Sequence, residues 1–226
     1  MNRIDLLDHG YVRLVDHMGS DLSVVRAARV SYDAAWRAGE DEKSDVKLIN
    51  YLWSHSHTTP FEAVTFTFEV YAPIFVLRQW HRHRTWSYNE LSARYRELPE
   101  VFYVPDPTVL GVQSKSSKQA RDLEQQVSPE WAASQVAAIR EACAAAFETY
   151  RDLLAMDVPR ELARSVLPVA TYSHMFATVD LLNLFRFLTL RCDPHAQHEI
   201  RVYANAMLEL VRPIVPTCVT AWEKSA

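Results

Sequence analysis

Residues 79–96 concentrate side chains that can hold a phosphorylated small molecule. Within residues 78–96 the chain carries five arginines and two histidines against a single acid, Glu90. Such a density of positive charge needs a counter-charge, and arginine forks pair bidentately with phosphate oxygens. The segment therefore predicts an enzyme that binds a phosphorylated ligand, in particular a nucleotide, at residues 79–96.

A helix at the start of this region would group several of its polar side chains. Pro73 opens an apolar run that fits a helix through residue 80 or beyond. If that helix continues, Arg78 and Arg82 lie four residues apart on one face. Gln79, Arg82 and His83 would then share the neighbouring face.

Further along, Glu90, Ser92 and Arg94 alternate with apolar residues. In an extended strand or loop such side chains point the same way, so an acceptor, a hydroxyl and a guanidinium would face one small polar ligand. The alternative is a solvated basic face, as most charge runs are. A walled pocket is favoured over it, because the run follows an apolar stretch and contains the aromatic residues Trp80, Trp86, Tyr88 and Tyr95.

The rest of the chain predicts helices packed on a small antiparallel sheet. Residues 65–70 have the two-residue period of a half-buried strand, 11–18 fit a second strand, and 169–178 could be a third. Helices are predicted over 23–37, 44–55, 73–80, 128–156, 179–190 and 195–211, with Ser128-Pro129-Glu130 and Asp193-Pro194 as helix starts. The prediction is one α+β domain over residues 1–226, a small antiparallel sheet flanked by several helices.

Composition excludes several classes of protein. The formal net charge is −4, which argues against a protein that coats DNA or RNA. The four glycines form neither a Gly-x-Gly-x-x-Gly turn nor a P-loop, so side chains must hold any nucleotide. Polar residues interrupt every long apolar run, and the start lacks a secretory signal, so no membrane association is expected. Three widely spaced cysteines fit reduced thiols and a cytoplasmic location.

One arrangement of these residues resembles a known family. Arg82-His83-Arg84 is followed, after seven residues, by Ser92. This pattern is similar to the motif of the flavin-dependent thymidylate synthases, and its wider context over residues 78–95 looks like that family throughout. Further matches lie at residues 57–62, at Leu167-Pro168 and at residues 195–197. The resemblance therefore covers most of the chain.

The resemblance implies a reaction, its cofactors and an assembly. Enzymes of this family take a methylene group from methylenetetrahydrofolate and attach it to carbon 5 of the uracil of dUMP. Hydride from reduced FAD completes the methyl group, and NADPH regenerates the reduced flavin. The family forms homotetramers with shared flavin sites, so the expected partners are dUMP, the folate, NADPH and further copies of the chain.

The resemblance also implies roles for single residues. Arg191 is expected to be catalytic, because a guanidinium stays protonated and can stabilise an ionised uracil. The expected dUMP contacts are Gln79, Trp80, Arg82, Glu90, Ser92, Ala93, Arg94, Arg164 and Arg191. The expected FAD contacts are Ser31, His57, Thr59, Arg82, His83, Arg84, Thr85, Glu90, Asp180, Arg186 and His195. No metal is expected.

One stretch departs from the family pattern. Many members carry an Asn-x-Arg triplet and a later Asn that contact the flavin, whereas this chain has Asp180-Leu181-Leu182 and Arg186 at those positions. Asp180 and Arg186 retain polar groups that can bond the cofactor. Leu182 cannot replace an arginine.

Rival readings remain at this stage. A metal-dependent nucleotide hydrolase would use clustered histidines and an acid, although nearby guanidiniums repel a cation; the candidates are His55, His57, His81, His83, His195, His198 and Glu199. A nucleic-acid module would stack bases on the aromatic residues among the arginines. Ser92 is either a nucleophile or a binding hydroxyl. Cys192 is either a thiol of lowered pKa or, as the favoured interpretation, a buried inert cysteine.

Overall fold

Five antiparallel strands form the main sheet in a computed structural model, which describes residues 2–116, 118–122, 125 and 127–224. The strands are β1 Arg3–Leu6, β2 Gly10–Met18, β3 Thr65–Pro73, β4 Ser87–Glu90 and β7 Tyr172–Asp180. Their order across the sheet is β1-β2-β3-β7-β4. Two short strands, β5 Val112–Gln113 and β6 Arg121–Asp122, pair separately.

Helices flank this sheet. They are α1 Asp21–Arg29, α2 Glu42–Ser54, α3 Ile74–Trp80, α4 Pro129–Ala155, α5 Arg160–Ala163, α6 Leu181–Arg191, α7 His198–Val211 and α8 Pro216–Glu223. α7 packs against β1 and β2 and also contacts α3 and α6. The predicted fold class, α+β with a small antiparallel sheet flanked by helices, is confirmed. In the part of the chain that the structure describes, no helix is long and apolar enough to cross a bilayer.

The central strand, β3, supplies much of the core. Phe66, Phe68 and Val70 each expose 0% of their surface. Their partners in register on β7 are Val179, Ala177 and Met175, which are also buried. Burying a large apolar side chain contributes about 1.5–3 kcal/mol. The two-residue alternation predicted for residues 65–70 is confirmed.

The opposite face of the sheet carries a polar cluster around Glu69. Its carboxylate accepts hydrogen bonds from the Tyr11 hydroxyl at 2.9 Å and from Arg13 Nε at 2.5 Å, and His174 Nε2 lies 2.7 Å away. Burial raises the pKa of Glu69, but these partners outweigh it and hold that pKa below its ordinary value. An anionic carboxylate thus ties together β2, β3 and β7.

Local turns move two predicted helix boundaries. The helix predicted over 23–37 ends at Arg29, because a 3-10 turn follows it and Asp33 adopts a left-handed φ of 51°. The helix predicted from residue 195 begins at His198. The Asp193 carboxylate accepts a hydrogen bond from the backbone N–H of His195 at 2.7 Å, which holds that residue in a turn before the helix.

The change from strand to helix at α6 also comes later than predicted. The sequence predicts residues 179 and 180 to be helical, but Asp180 pairs with Thr65 and belongs to β7. Its side chain accepts a hydrogen bond from the N–H of Asn183 at 2.9 Å and caps α6. The cap satisfies a backbone donor that the first helical turn leaves free.

We predict that Gly10→Ala destabilises the protein by about 2 kcal/mol, the typical cost of overpacking combined with a displaced hydrogen bond. A Cβ at Gly10 would lie 2.0 Å from the Tyr203 hydroxyl, which donates to the carbonyl of Tyr71. Urea unfolding measures the change. In a Tyr203→Phe background the penalty should fall by at least half, because the displaced oxygen is gone. An equal penalty in both backgrounds would contradict this explanation.

Candidate active site

The turn after α3 places the residues of the arginine-rich motif. α3 ends at Trp80, so Arg82 and His83 do not lie on the helix face predicted for them. The Tyr88 hydroxyl, from β4, lies 3.0 Å from the carbonyl oxygen of Trp80 and 2.8 Å from that of His83. The end of α3 is thereby fastened to β4. Burial raises the pKa of Tyr88, so this hydroxyl keeps its proton.

Trp80 anchors this turn from inside the core. Its side chain is fully buried, stacks on Phe187 at 4.9 Å between ring centroids, and meets Trp86 edge to face. The sequence placed Trp80 among the dUMP contacts. The structure puts its indole in the core, and its carbonyl oxygen already accepts hydrogen bonds from the Tyr88 hydroxyl and from the N–H of His83.

Arg191, the last residue of α6, is held by two residues of the α3 end. Its Nε donates to His83 Nε2 at 3.1 Å, and its Nη2 donates to the backbone carbonyl of Gln79 at 3.2 Å. Its Nη1 lies 3.5 Å from the side-chain oxygen of Gln79. Arg191 therefore meets His83 and Gln79, which lie 108 and 112 positions away in the sequence.

The contact with Arg191 defines the protonation of His83. A histidine nitrogen that accepts a hydrogen bond carries no proton, so the proton of a neutral ring lies on Nδ1. Burial, and secondly the charge of Arg191, lower the pKa of His83 to about 4. His83 is therefore an uncharged acceptor near neutral pH, and the positive charge of Arg191 stays available to a ligand.

A cavity of about 410 Å³ lies between β4 and the segment before β7. It brings together several predicted dUMP contacts with residues that were not predicted, and its polar lining is Arg78, Glu90, Glu161, Arg164, Ser165 and Ser173. Ala93 also lines it. The Ser173 hydroxyl donates to Glu90 at 2.6 Å and so orients that carboxylate.

Ser92 and Arg94 follow the end of β4. The strand stops at Glu90, so the predicted alternation through residue 94 is not continued as a strand. Ser92 Oγ accepts a hydrogen bond from the N–H of Arg94 at 3.3 Å, and the Arg94 guanidinium lies 3.5 Å from Glu161. Within the described residues, no histidine or carboxylate lies within hydrogen-bond distance of the Ser92 hydroxyl. This favours a binding hydroxyl over a nucleophile.

Several arginines here lack an acidic partner. Across residues 2–116, 118–122, 125 and 127–224, no carboxylate forms an ion pair with Arg78, Arg82, Arg84, Arg164 or Arg191. Leaving so many cations uncompensated in one region is unfavourable unless an anion binds there. The donor set therefore fits ligands with phosphate or pyrophosphate groups.

The predicted flavin contacts fall in more than one place. Ser31 lies in the 3-10 turn after α1, while Thr59 opens a second 3-10 turn, Thr59–Ala63, that packs against both α1 and α6. His57 precedes that turn and is exposed. Arg82, Arg84 and Thr85 are exposed on the turn after α3.

The departure from the family pattern has a structural counterpart on α6. Leu182 is 4% exposed and belongs to the core, so it provides no polar group that could contact a cofactor. Asp180 accepts hydrogen bonds from Asn183, and the Asn183 oxygen in turn accepts from Arg186 at 3.0 Å. Arg186 is exposed, and among the described residues its guanidinium bonds only the Asn183 amide, so it fits an anionic cofactor.

His195 lies apart from the other predicted flavin contacts. Its ring pairs with Asp193 at 2.9 Å, and it lines a cavity of about 450 Å³ with Gln197 and Arg201. A larger cavity, of about 940 Å³, opens between the β1–β2 hairpin and α4 and contains none of the residues predicted to bind dUMP or FAD. Cavity size alone does not mark this site; the meeting of Arg191, His83 and Gln79 does.

Comparison with known proteins decides the family. Residues 13–217 match the family described as thymidylate synthase complementing protein. The chain belongs to the flavin-dependent thymidylate synthase family. It is therefore a flavoprotein methyltransferase, with FAD as its cofactor.

Relatives in this family match nearly the whole chain. The flavin-dependent thymidylate synthase of Thermus thermophilus is 48% identical over 227 residues, covering 98% of this chain and 78% of the relative. That of Thermotoga neapolitana is 44% identical over 224 residues, covering 99% and 95%. The crystal structure of the UMP/dUMP methylase PolB from Streptomyces cacaoi, bound with 5-Br dUMP, has a TM-score of 0.88 and 40% identity, covering 98% of this chain and 97% of that chain.

For some residues of the site, the sequence pattern gives no signal or indicates a different role. The sequence pattern relates Arg78 only to a helix face, and it gives no signal for Ser173. The sequence pattern suggests Glu199 only as a metal ligand, yet no group of three metal-binding side chains occurs among the described residues. Cys192 is half-buried, and burial raises the pKa of its thiol to about 11, which favours an inert thiol over a reactive one. Only spatial proximity could have revealed Ser173.

We predict that neutral His83 makes folding depend on pH. Its pKa is about 4 in the folded protein and near its ordinary 6.5 when unfolded, so its contribution is complete above pH 6.5 and is lost as the pH falls towards 4. Between pH 7 and 5 the wild type should lose on the order of 1 kcal/mol more stability than His83→Gln, after allowance for partial exposure.

Urea unfolding of apo-protein at both pH values measures this difference. His17→Gln, a change at an exposed histidine, serves as the matched control and should behave as the wild type. Equal losses in wild type and His83→Gln would show that His83 takes up its proton normally.

Proposed function

We propose that dUMP binds along the α3 end and the β4 cavity, and that FAD binds next to it on the exposed turn after α3. As a member of its family, the chain converts dUMP to dTMP by reductive methylation, with FAD as hydride carrier. The observation that carries the proposal is the position of Arg191, which is held by His83 and Gln79. Arg82 and Arg84 lie on either side of His83 in the chain, and within the described residues neither forms an ion pair with a carboxylate.

The proposed dUMP contacts divide by chemistry. Arg82, Arg94 and Arg164 suit the phosphate, because guanidinium and phosphate pair bidentately, with the Ser92 hydroxyl and the Ala93 backbone beside them. Glu90, oriented by Ser173, suits a ribose hydroxyl. Gln79 and Arg191 remain for the uracil, with the Trp80 backbone next to them. The 5-Br dUMP bound to the related PolB supports a nucleotide site on this fold.

Arg191 is the proposed catalytic residue. Its guanidinium can stabilise the anion that forms when the uracil imide ionises, and ionisation makes carbon 5 more nucleophilic. Because neutral His83 accepts from Arg191 without cancelling its charge, that stabilisation is preserved. An enzyme nucleophile is then unnecessary. FAD, when bound and reduced, supplies the hydride that completes the methyl group.

The proposed flavin contacts combine exposed cations with hydroxyl and carboxylate groups. Arg82, Arg84 and Arg186 suit the pyrophosphate, and the remaining proposed contacts are Ser31, His57, Thr59, His83, Thr85, Glu90, Asp180 and His195. Methylenetetrahydrofolate is the proposed one-carbon donor and NADPH the proposed reductant. The enzyme is proposed to be cytoplasmic and to act as one domain over residues 1–226, without nucleic acid, membrane or metal.

The visible absorption spectrum tests the proposal first. Purified protein that has been supplied with FAD should show flavin bands, and these should bleach with NADPH under anaerobic conditions. Product analysis should then show dTMP when dUMP and methylenetetrahydrofolate are added, with UMP as a competing substrate because PolB is named for both nucleotides. Protein that takes up no FAD, or forms no dTMP, would overturn the proposal.

We predict that Arg191→Lys lowers kcat/KM for dUMP by about 100- to 1,000-fold, the usual cost of losing a preorganised charge-stabilising donor. A single ammonium cannot contact His83 and Gln79 and still face the uracil. Steady-state dTMP formation measures the effect, with Arg140→Lys, at an exposed position on α4, as the matched control. Activity of Arg191→Lys within a few-fold of wild type would rule out this role.

We also propose that four copies assemble, with flavin sites at their contacts. Tyr32 is 87% exposed and directly follows the proposed flavin contact Ser31 in the chain, and Trp36, in the 3-10 turn that comes after it, is 72% exposed. Large aromatic side chains so exposed are typical of a surface that another chain covers. Light scattering should give four times the mass of one chain, and Tyr32→Ser with Trp36→Ser should lower both that mass and FAD uptake. A wild-type monomer that binds FAD would contradict the assembly.

A further inference from the structure

Glu199 is a buried charge that the catalytic roles above do not use. It lies in the first turn of α7 and is 2% exposed. Both of its oxygens lie 2.7 Å from Arg121 Nη2, and the Tyr103 hydroxyl donates to Oε1 at 3.1 Å. Gln197 Nε2 donates to Oε2 at 2.8 Å. Burial raises the pKa of Glu199, but the hydrogen bonds and charge of Arg121 outweigh it and hold that pKa below its ordinary value.

A line of hydrogen bonds through the side-chain amides of Gln197 and Gln79 connects this carboxylate to Arg191. Gln197 Oε1 accepts a hydrogen bond from Gln79 Nε2 at 2.5 Å. Gln79 then presents its own side-chain oxygen to Arg191 Nη1 at 3.5 Å and its backbone carbonyl to Nη2 at 3.2 Å. Glu199 is therefore connected to the guanidinium of Arg191 through two glutamine side chains.

The charge at the far end fixes the direction of every hydrogen bond in this line. A carboxylate only accepts, so Gln197 must turn its NH₂ group towards Glu199. Its oxygen is then left for the NH₂ group of Gln79, and the oxygen of Gln79 is left for Arg191. If Gln79 were reversed, its NH₂ group would face a guanidinium, and two donors would meet without an acceptor.

We infer that Glu199 and Gln197 are positioning residues for Arg191: together they hold the Gln79 side chain with its oxygen towards the guanidinium. This inference rests on the proposed catalytic role of Arg191. Arg121 and Tyr103 hold the other side of the same carboxylate, and Arg121 also donates to the carbonyl of Val109 at 2.6 Å. That side ties Val109 and Arg121 to α7 and does not lead to Gln79.

Variants on the two sides of the Glu199 carboxylate distinguish a role in positioning Arg191 from a role in stabilising the fold. Glu199→Gln removes the fixed charge, so both glutamines can reverse. Gln197→Met keeps the size of the side chain but breaks the line, at an exposed position where folding is little affected. Tyr103→Phe is the matched control, because it removes one hydrogen bond from the same carboxylate on the side away from Gln79.

The experiment measures kcat and KM for dUMP in FAD-loaded wild type, the three variants and the Glu199→Gln, Gln197→Met double variant. FAD content and melting temperature are recorded for each. We expect Gln197→Met and Glu199→Gln to lower kcat about 10- to 100-fold, the effect of misplacing a catalytic group, with KM changed less. The double variant should be no worse than the poorer single variant, because both break one line. Tyr103→Phe should stay within about three-fold of wild-type kcat.

Different outcomes overturn different claims. Wild type that forms no dTMP overturns the proposed function, and the positioning role with it. Wild type that forms dTMP while Gln197→Met keeps wild-type kcat overturns the positioning role alone, and this result stands even if Glu199→Gln does not fold. Multiplicative losses in the double variant, or an equal loss in Tyr103→Phe, would make Glu199 a structural anchor only.

Discussion

The guanidinium of Arg191 is held by neutral groups: the imidazole of His83 and the amide and carbonyl of Gln79. In the described part of the chain no carboxylate reaches it. A salt bridge would fix the guanidinium equally well but would cancel the charge that an ionised uracil requires. The low pKa of His83, caused mainly by burial, is what keeps this acceptor neutral. The positions of α3, β4 and α6 bring these groups together.

Aromatic packing provides that arrangement. Trp80 stacks on Phe187, Trp86 packs against both rings, and the Tyr88 hydroxyl binds the carbonyls where α3 ends. The turn that carries His83 is therefore fixed to α6 by buried apolar surface and to β4 by hydrogen bonds. A catalytic group positioned in this way loses little conformational freedom when a ligand binds.

The charged groups on the two sides of Gln79 differ in burial and in ion pairing. Glu199 is buried and fully paired with Arg121, as an isolated carboxylate would be too costly there. Arg82 and Arg84 are exposed and unpaired among the described residues, as cations that await an anionic ligand should be. Gln79 and Gln197 separate these regions, since an amide transmits hydrogen-bond direction without carrying charge. Structural charge and ligand-binding charge thus stay apart within one small region.

The sequence by itself determined the residue types of the site and the periodic elements of the fold. The motif of Arg82, Arg84 and Ser92 and the alternation in β3 depend on neighbours along the chain, so they could be read directly. Tertiary structure alone decided where α3 stops, which puts Arg82 off the predicted helix face and Trp80 in the core. It also decided that Gln79, His83 and Arg191 meet and that Glu199 reaches them through Gln197. Those outcomes depend on contacts such as Tyr88 with the end of α3, between residues that local pattern does not relate.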